Sequence, residues 1–275
     1  MPQCVICPHR CRLREGQIGF CRARACIHDE IVPINYGRIT SLALDPIEKK
    51  PLYHFYPGSR ILSIGSFGCN LRCPFCQNYQ ISMSGIQEIA YQEIQPQELV
   101  NLALKAAREP YGNLGVAFTY NEPLISFEYV RDCCRLLRQA GLKTVLVSNG
   151  QINSEPLAEL LPLIDAMNID LKGFSRDYYN YVGGDFETVK RTIATVYNRC
   201  HLELTTLIVP TKNDSVDEME QEAEWVASLS ENIPLHISRY FPRYKSKIEM
   251  TPLATIYRLQ ETAQKYLKFV YVGNC

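Results

Sequence analysis

Three cysteines crowd into one octapeptide. Cys69, Cys73 and Cys76 follow the spacing C-x3-C-x2-C within Cys69-Asn70-Leu71-Arg72-Cys73-Pro74-Phe75-Cys76. Thiols this close can fold around one metal centre. A structural zinc site would want a fourth protein ligand. Three thiolates instead suit a [4Fe–4S] cluster with one iron left open to an exchangeable ligand; a zinc loop is the plain alternative. A second set, Cys4-x2-Cys7-x3-Cys11-x9-Cys21, offers four thiolates. Four fill either a tetrahedral zinc site or every corner of a second iron–sulfur cluster. A metal there would fix a small N-terminal module against the rest of the chain, with Cys26 as a spare ligand. Cys133, Cys134 and Cys200 read as packing residues, because free cysteine behaves as a small buried hydrophobe.

The elements that must position these groups follow from pattern. The chain has 275 residues, of which 12 are cysteines. That is too sparse for a disulfide scaffold, and paired spacings in a reducing compartment point to metal. Lysine plus arginine and aspartate plus glutamate both number 29, so net charge is zero. This argues against a general phosphate-backbone binder, hence against nucleic acid as a partner. No apolar run is long enough to span a membrane, and the arginine-rich start is no secretory signal. The expected location is cytoplasmic.

Residues 1–59 read as a Cys-rich module with a β-hairpin (Ile31–Asn35 against Ile39–Leu44) and a connecting loop. From residue 60 to 275, short apolar runs alternate with amphipathic helices. The strand candidates are Ile61–Ser66, Leu114–Thr119, Thr144–Ser148, Ala166–Leu171, Leu202–Val209, Leu235–Arg239 and Phe269–Val272. The helical candidates are Pro96–Arg108, Leu124–Ala140, Glu155–Leu160, Glu187–Asn198, Val216–Leu229 and Pro252–Tyr266. Such alternation builds an α/β fold with a parallel sheet, here a partial, TIM-like (β/α)6 barrel. In barrels the working residues follow the strands. Thr119-Tyr120-Asn121-Glu122-Pro123, Ser148-Asn149-Gly150 and Asp170-Leu171-Lys172-Gly173 all do so. Asp170 and Lys172 are two apart and share one strand face. Val209-Pro210, Asn213-Asp214, His236, Ser238 and Arg239 are weaker candidates. The Asp45–Phe55 stretch precedes the first barrel strand, where it can cover one barrel end and turn Tyr53, His54, Phe55 and Tyr56 toward a substrate or partner.

The cysteine spacing, its place after the first barrel strand, and aromatic Phe75 before the third cysteine resemble the radical S-adenosylmethionine (SAM) superfamily. The resemblance implies that Cys69, Cys73 and Cys76 hold three irons of a [4Fe–4S] cluster and that the amino and carboxylate groups of SAM chelate the fourth. One electron would cleave the sulfonium, giving a 5′-deoxyadenosyl radical that abstracts a hydrogen atom. It further implies Glu122 near the ammonium, Asp170 at the ribose, Lys172 at the carboxylate, and Phe75, Ser148, Asn149 and His236 beside the cofactor, although a lone histidine is more often a hydrogen-bonded core residue. The Ser-Asn-Gly and Asp-Leu-Lys runs are similar to those of pyruvate formate-lyase activating enzymes, which implies an electron donor such as flavodoxin or ferredoxin. Asp45–Phe55, Gly68–Asn78, Cys4-x2-Cys7-Pro8 and Gly19-Phe20-Cys21 resemble the radical SAM member of the AmmeMemoRadiSam system. That implies Memo-like and AMMECR-like partners and names no substrate. The alternative is a non-catalytic iron–sulfur or zinc scaffold for such partners.

Overall fold

A computed structural model describes residues 1–275. Its strands are β1 (Arg24–Ile27), β2 (Glu30–Pro33), β3 (Arg38–Ile39), β4 (Ser41–Pro46), β5 (Arg60–Gly65), β6 (Gln92–Glu93), β7 (Gly115–Phe118), β8 (Lys143–Ser148), β9 (Ala166–Asp170), β10 (His201–Ile208), β11 (Leu235–Arg239) and β12 (Val270–Gly273). Its helices are α1 (Tyr79–Ser82), α2 (Pro96–Ala107), α3 (Phe127–Gln139), α4 (Ser154–Leu160), α5 (Arg176–Val182), α6 (Phe186–Val196), α7 (Val216–Leu229) and α8 (Leu253–Ala263). Eight strands form one sheet in the order β12-β11-β10-β9-β8-β7-β5-β4. Every neighbouring pair is parallel except β4–β5. The sheet is the open α/β barrel expected from the alternation, with one antiparallel edge strand.

The hairpin expectation needs correction. Residues 31–35 do not pair with 39–44. β2 pairs with β1, whereas β4 runs antiparallel along β5, with Ser41 opposite Gly65 and Pro46 opposite Arg60. Alternating apolarity marks a strand without naming its partner. α5 is only seven residues long, between the Ser175 cap and Gly183. Ser215 caps α7, its hydroxyl accepting from the Glu218 amide. Asn153 precedes α4 without capping it; its side chain instead donates to the Val5 and Cys7 carbonyls.

The two faces of the sheet do different work. On the outer face Leu62, Ile64, Val116, Phe118, Leu146, Met167 and Ile169 belong to the main core. On the inner face Ile61, Ala117, Val145 and Ala166 pack around Ile47, Leu52 and Phe55. The 45–56 segment is therefore the barrel floor. It is tied in by the Asn168 amide donating to the Pro51 carbonyl and by a Lys50–Asp45 pair at 2.7 Å. Above the floor, small and polar residues on the same inner face leave room for a ligand.

Candidate active site at the C-terminal mouth of the barrel

A cavity of about 260 Å³ opens at the C-terminal ends of the strands. Cys69, Cys73 and Cys76 all line it, with Phe75, Glu122, Asn149, Asp170 and Lys172. The cysteine loop follows β5 directly and is anchored at several points. The Cys69 amide donates to the Cys21 carbonyl (3.1 Å) and the Arg72 amide to the Val182 carbonyl (2.7 Å). Lys245 and Ser246 amides both donate to the Pro74 carbonyl. Gly68 sits at φ +83, and a Cβ there would lie 2.4 Å from the Cys21 carbonyl oxygen. Only glycine tolerates both that backbone conformation and that approach. Buried Phe75 fills the space beneath the loop against Tyr178, Tyr181 and Tyr240.

All three thiols are raised, and Cys73 and Cys76 share the influence of one cation, Lys172. Burial pushes Cys73 up to about 12, while the nearby Lys172 charge pulls the other way. Cys69 and Cys76 are also raised, foremost by burial. Burial would depress Lys172, but Asp170 and Cys73 hold it above the ordinary lysine range. Its ammonium donates to Asp170 Oδ2 at 2.7 Å. Asn149 Nδ2 lies 3.7 Å from Cys69 Sγ and donates to Asn70 Oδ1 at 2.9 Å, so the strand-end asparagine steadies the loop.

Glu122 is buried at the mouth. It accepts from the Leu124 amide (2.9 Å), the Asn149 amide (2.8 Å) and the Ser148 hydroxyl (2.8 Å). Burial still raises it to about 7, and the Asp170 charge adds to that. No cationic side chain is among its partners. The site thus presents a desolvated carboxyl, a lysine–aspartate pair and three thiols to one space. A ligand carrying an amine, a carboxylate and hydroxyls would find a partner for each.

The remaining candidates divide. Ser148 does not line the cavity; it acts on it through Glu122. His236 must be moved out of the cofactor set. It lies on the inward face of β11, but two residues before Ser238, or ~6.6 Å lower along the strand. Ser238 lines the cavity and His236 does not. His236 Nε2 is 2.6 Å from Glu203 Oε2, and its ring packs against Tyr53 and Tyr271. Tyr53 and His54 likewise face this floor rather than a ligand, their amides donating to Glu203. Asn213 supports the Lys172 carbonyl without reaching the cavity. Thr205 and Leu207 line the cavity although no motif marks them. Period two along β10 puts Glu203, Thr205 and Leu207 on one face, and that was the available signal.

No three ligand atoms from either cysteine set lie within 4.8 Å of one another; the trio that does is Glu15, Cys26 and Asp29. Thiolates on a tetrahedral zinc would be about 3.8 Å apart, given a zinc–sulfur bond of about 2.3 Å. The Cys69–Cys76 thiols are therefore not gathered as they would be around a single zinc ion.

Comparison with known proteins agrees. The chain is 40% identical to an uncharacterised protein of Methanocaldococcus jannaschii, over 99% of this chain and 81% of that one. It is 26% identical to the pyruvate formate-lyase-activating enzyme of Clostridium pasteurianum, over 69% of this chain and 73% of the enzyme. In fold it is similar to Streptococcus suis SuiB bound to S-adenosylmethionine, with a TM-score of 0.60 at 15% identity, over 78% of this chain and 52% of SuiB. No helix is long and apolar enough to cross a membrane. Residues 63–226 match the Radical SAM superfamily, more than half of the sequence, and the chain belongs to that superfamily.

Proposed function

We propose that the chain is a radical SAM enzyme of the activating-enzyme type, with Cys69, Cys73 and Cys76 holding a [4Fe–4S] cluster at the barrel mouth. The observation that carries this is one cavity lined by three thiols, a buried carboxyl and a lysine–aspartate pair. When bound, a reduced cluster would supply the electron for reductive cleavage of the sulfur–C5′ bond of SAM, the chemistry that yields methionine and a 5′-deoxyadenosyl radical able to take a hydrogen atom from a substrate. The protein's share is orientation, electrostatics and exclusion of water. Glu122 receives the SAM ammonium, gaining the cationic partner that its hydrogen bonds do not provide. Lys172 takes the methionine carboxylate and Asp170 the ribose hydroxyls, exchanging their mutual contact for contacts to the ligand. Phe75 holds the loop in place from below, and Asn149 steadies Cys69. A one-electron donor of the flavodoxin or ferredoxin class delivers the reducing equivalent. Memo-like and AMMECR-like partners follow from the motif resemblance; within residues 1–59, β4 and the 45–56 floor belong to the barrel, so a separate Cys-rich module would end before β4.

The test is anaerobic reconstitution followed by SAM and dithionite. Release of 5′-deoxyadenosine, lost when Cys69, Cys73 and Cys76 all become alanine, supports the reading. A cluster-loaded protein that binds no SAM and releases none of the nucleoside would sink it.

A further inference from the structure

The N-terminal cysteines form a second centre of a different kind. Cys4, Cys7, Cys11 and Cys21 line a small enclosed cavity with Ile6, Leu13, Phe20 and Ile125. Its walls are apolar apart from Arg24. Arg24 is 4% exposed. Its terminal nitrogens reach Glu128 at 2.6 and 2.7 Å, but its Nε–H has no partner anywhere in the protein. Cys4 and Cys21 are among the groups whose charge acts on it. An orphaned, buried donor on a residue that lines a four-cysteine cavity is costly unless something anionic accepts from it.

The segment carrying these thiols cannot hold itself together by regular structure. Before β1 it has only isolated bridges, Gln3 with Arg12 and Ile18 with Ala25. The Cys4 amide donates to the Cys11 carbonyl at 2.9 Å, which folds the first three cysteines into one loop. Gly19 leaves Cys11 Sγ 3.7 Å from where its Cβ would stand. The four sulfurs converge, yet no three of them lie within 4.8 Å. That spread exceeds the ~3.8 Å expected around a zinc ion with bonds of about 2.3 Å. The cavity between them is only about 10 Å³, so it is the spread of the sulfurs, and not free volume, that favours a four-cornered cluster over a single ion.

We propose that Cys4, Cys7, Cys11 and Cys21 ligate a second iron–sulfur cluster of the [4Fe–4S] class, saturated by protein and closed to SAM, with Arg24 Nε–H donating to one of its sulfurs. Thiols lose their protons as the cluster assembles, and Arg24 supplies compensating charge in an otherwise apolar wall. The two centres are joined through the backbone, since the Cys21 carbonyl accepts from the Cys69 amide at 3.1 Å. His9 Nε2 lies 2.9 Å from the Asn70 carbonyl, giving a second tie between the loops.

The experiment counts metal on the full-length chain, reconstituted anaerobically with iron and sulfide. Wild type is expected to hold about eight irons, four per cluster. C69A/C73A/C76A should keep about four irons and brown iron–sulfur absorbance. Adding C7S and C11S to that variant should remove them, while C26A on the wild-type background should not change the count. In the wild type, two reduced-cluster resonance signals are expected, only one of which changes when SAM is added. One zinc and no iron in C69A/C73A/C76A would overturn the proposal, as would a folded variant free of metal. If that variant does not fold, the wild-type count decides, and about four irons there is a refutation. Eight irons with no 5′-deoxyadenosine would instead defeat the activity proposed above and leave this centre standing.

Discussion

Two buried glutamates mark opposite ends of the barrel. Glu203, on the floor, accepts from the Tyr53 and His54 amides and lies within hydrogen-bonding distance of His201 and His236. Burial alone would raise its pKa, but these partners bring it down to about 2. Glu122, at the mouth, has three hydrogen bonds, and burial takes it up to about 7. Both are well hydrogen-bonded. What separates them is the pair of imidazoles, which can carry positive charge, against none at Glu122. The floor has satisfied its carboxylate internally and is structure. The mouth leaves its carboxyl short of a cation, and that is where a cationic ligand gains most.

Substitutions can break that comparison. The largest expected effect is Glu203→Gln, which should cost about 3–5 kcal/mol in denaturant unfolding by leaving buried partners unpaired. SAM affinity of the folded variant should be unchanged; a large loss of affinity would mean that the floor belongs to the site. Next comes acid. Because Glu203 is depressed from 4.5 to about 2 in the fold, its contribution is present above 4.5 and lost as pH falls to 2. The loss should be about 3 kcal/mol, since every pH unit between those two values is worth about 1.36 kcal/mol, and E203Q should flatten that part of the stability profile. Glu122→Gln should do the reverse of E203Q. Stability should hold or rise, while SAM binding by calorimetry weakens about 30-fold, the value of a charged hydrogen bond of about 2 kcal/mol. Equal losses of stability in the two variants would erase the distinction. The smallest effect belongs to Ser148→Ala, which removes one hydrogen bond to Glu122. A loss of about 1 kcal/mol should raise the SAM dissociation constant several-fold and leave the iron content alone.

How much of this was legible varies with the range of the interaction. The Cys69–Cys76 spacing is local, so sequence alone brings three thiols into one loop. The parallel strands are legible because each is short, apolar and bounded by turn residues. His236 shows the limit. Its strand and its inward face follow from period two, but its height does not follow from residue type. Only its position near the start of β11, against Ser238 near the end, tells floor from mouth. The misread hairpin has the same root, since β4 found its partner in β5 by packing rather than by proximity to β2.

Sequence by itself determined which atoms are available for chemistry and the order of strands and helices that carries them, because both are written in local spacing. The tertiary structure decided which polar groups neutralise each other and which remain open to a ligand. It also decided that Gly68 lets the loop of Cys69 meet the carbonyl of Cys21. Those outcomes depend on burial and on contacts between residues far apart in the chain, and burial sets the cost of every unpaired charge.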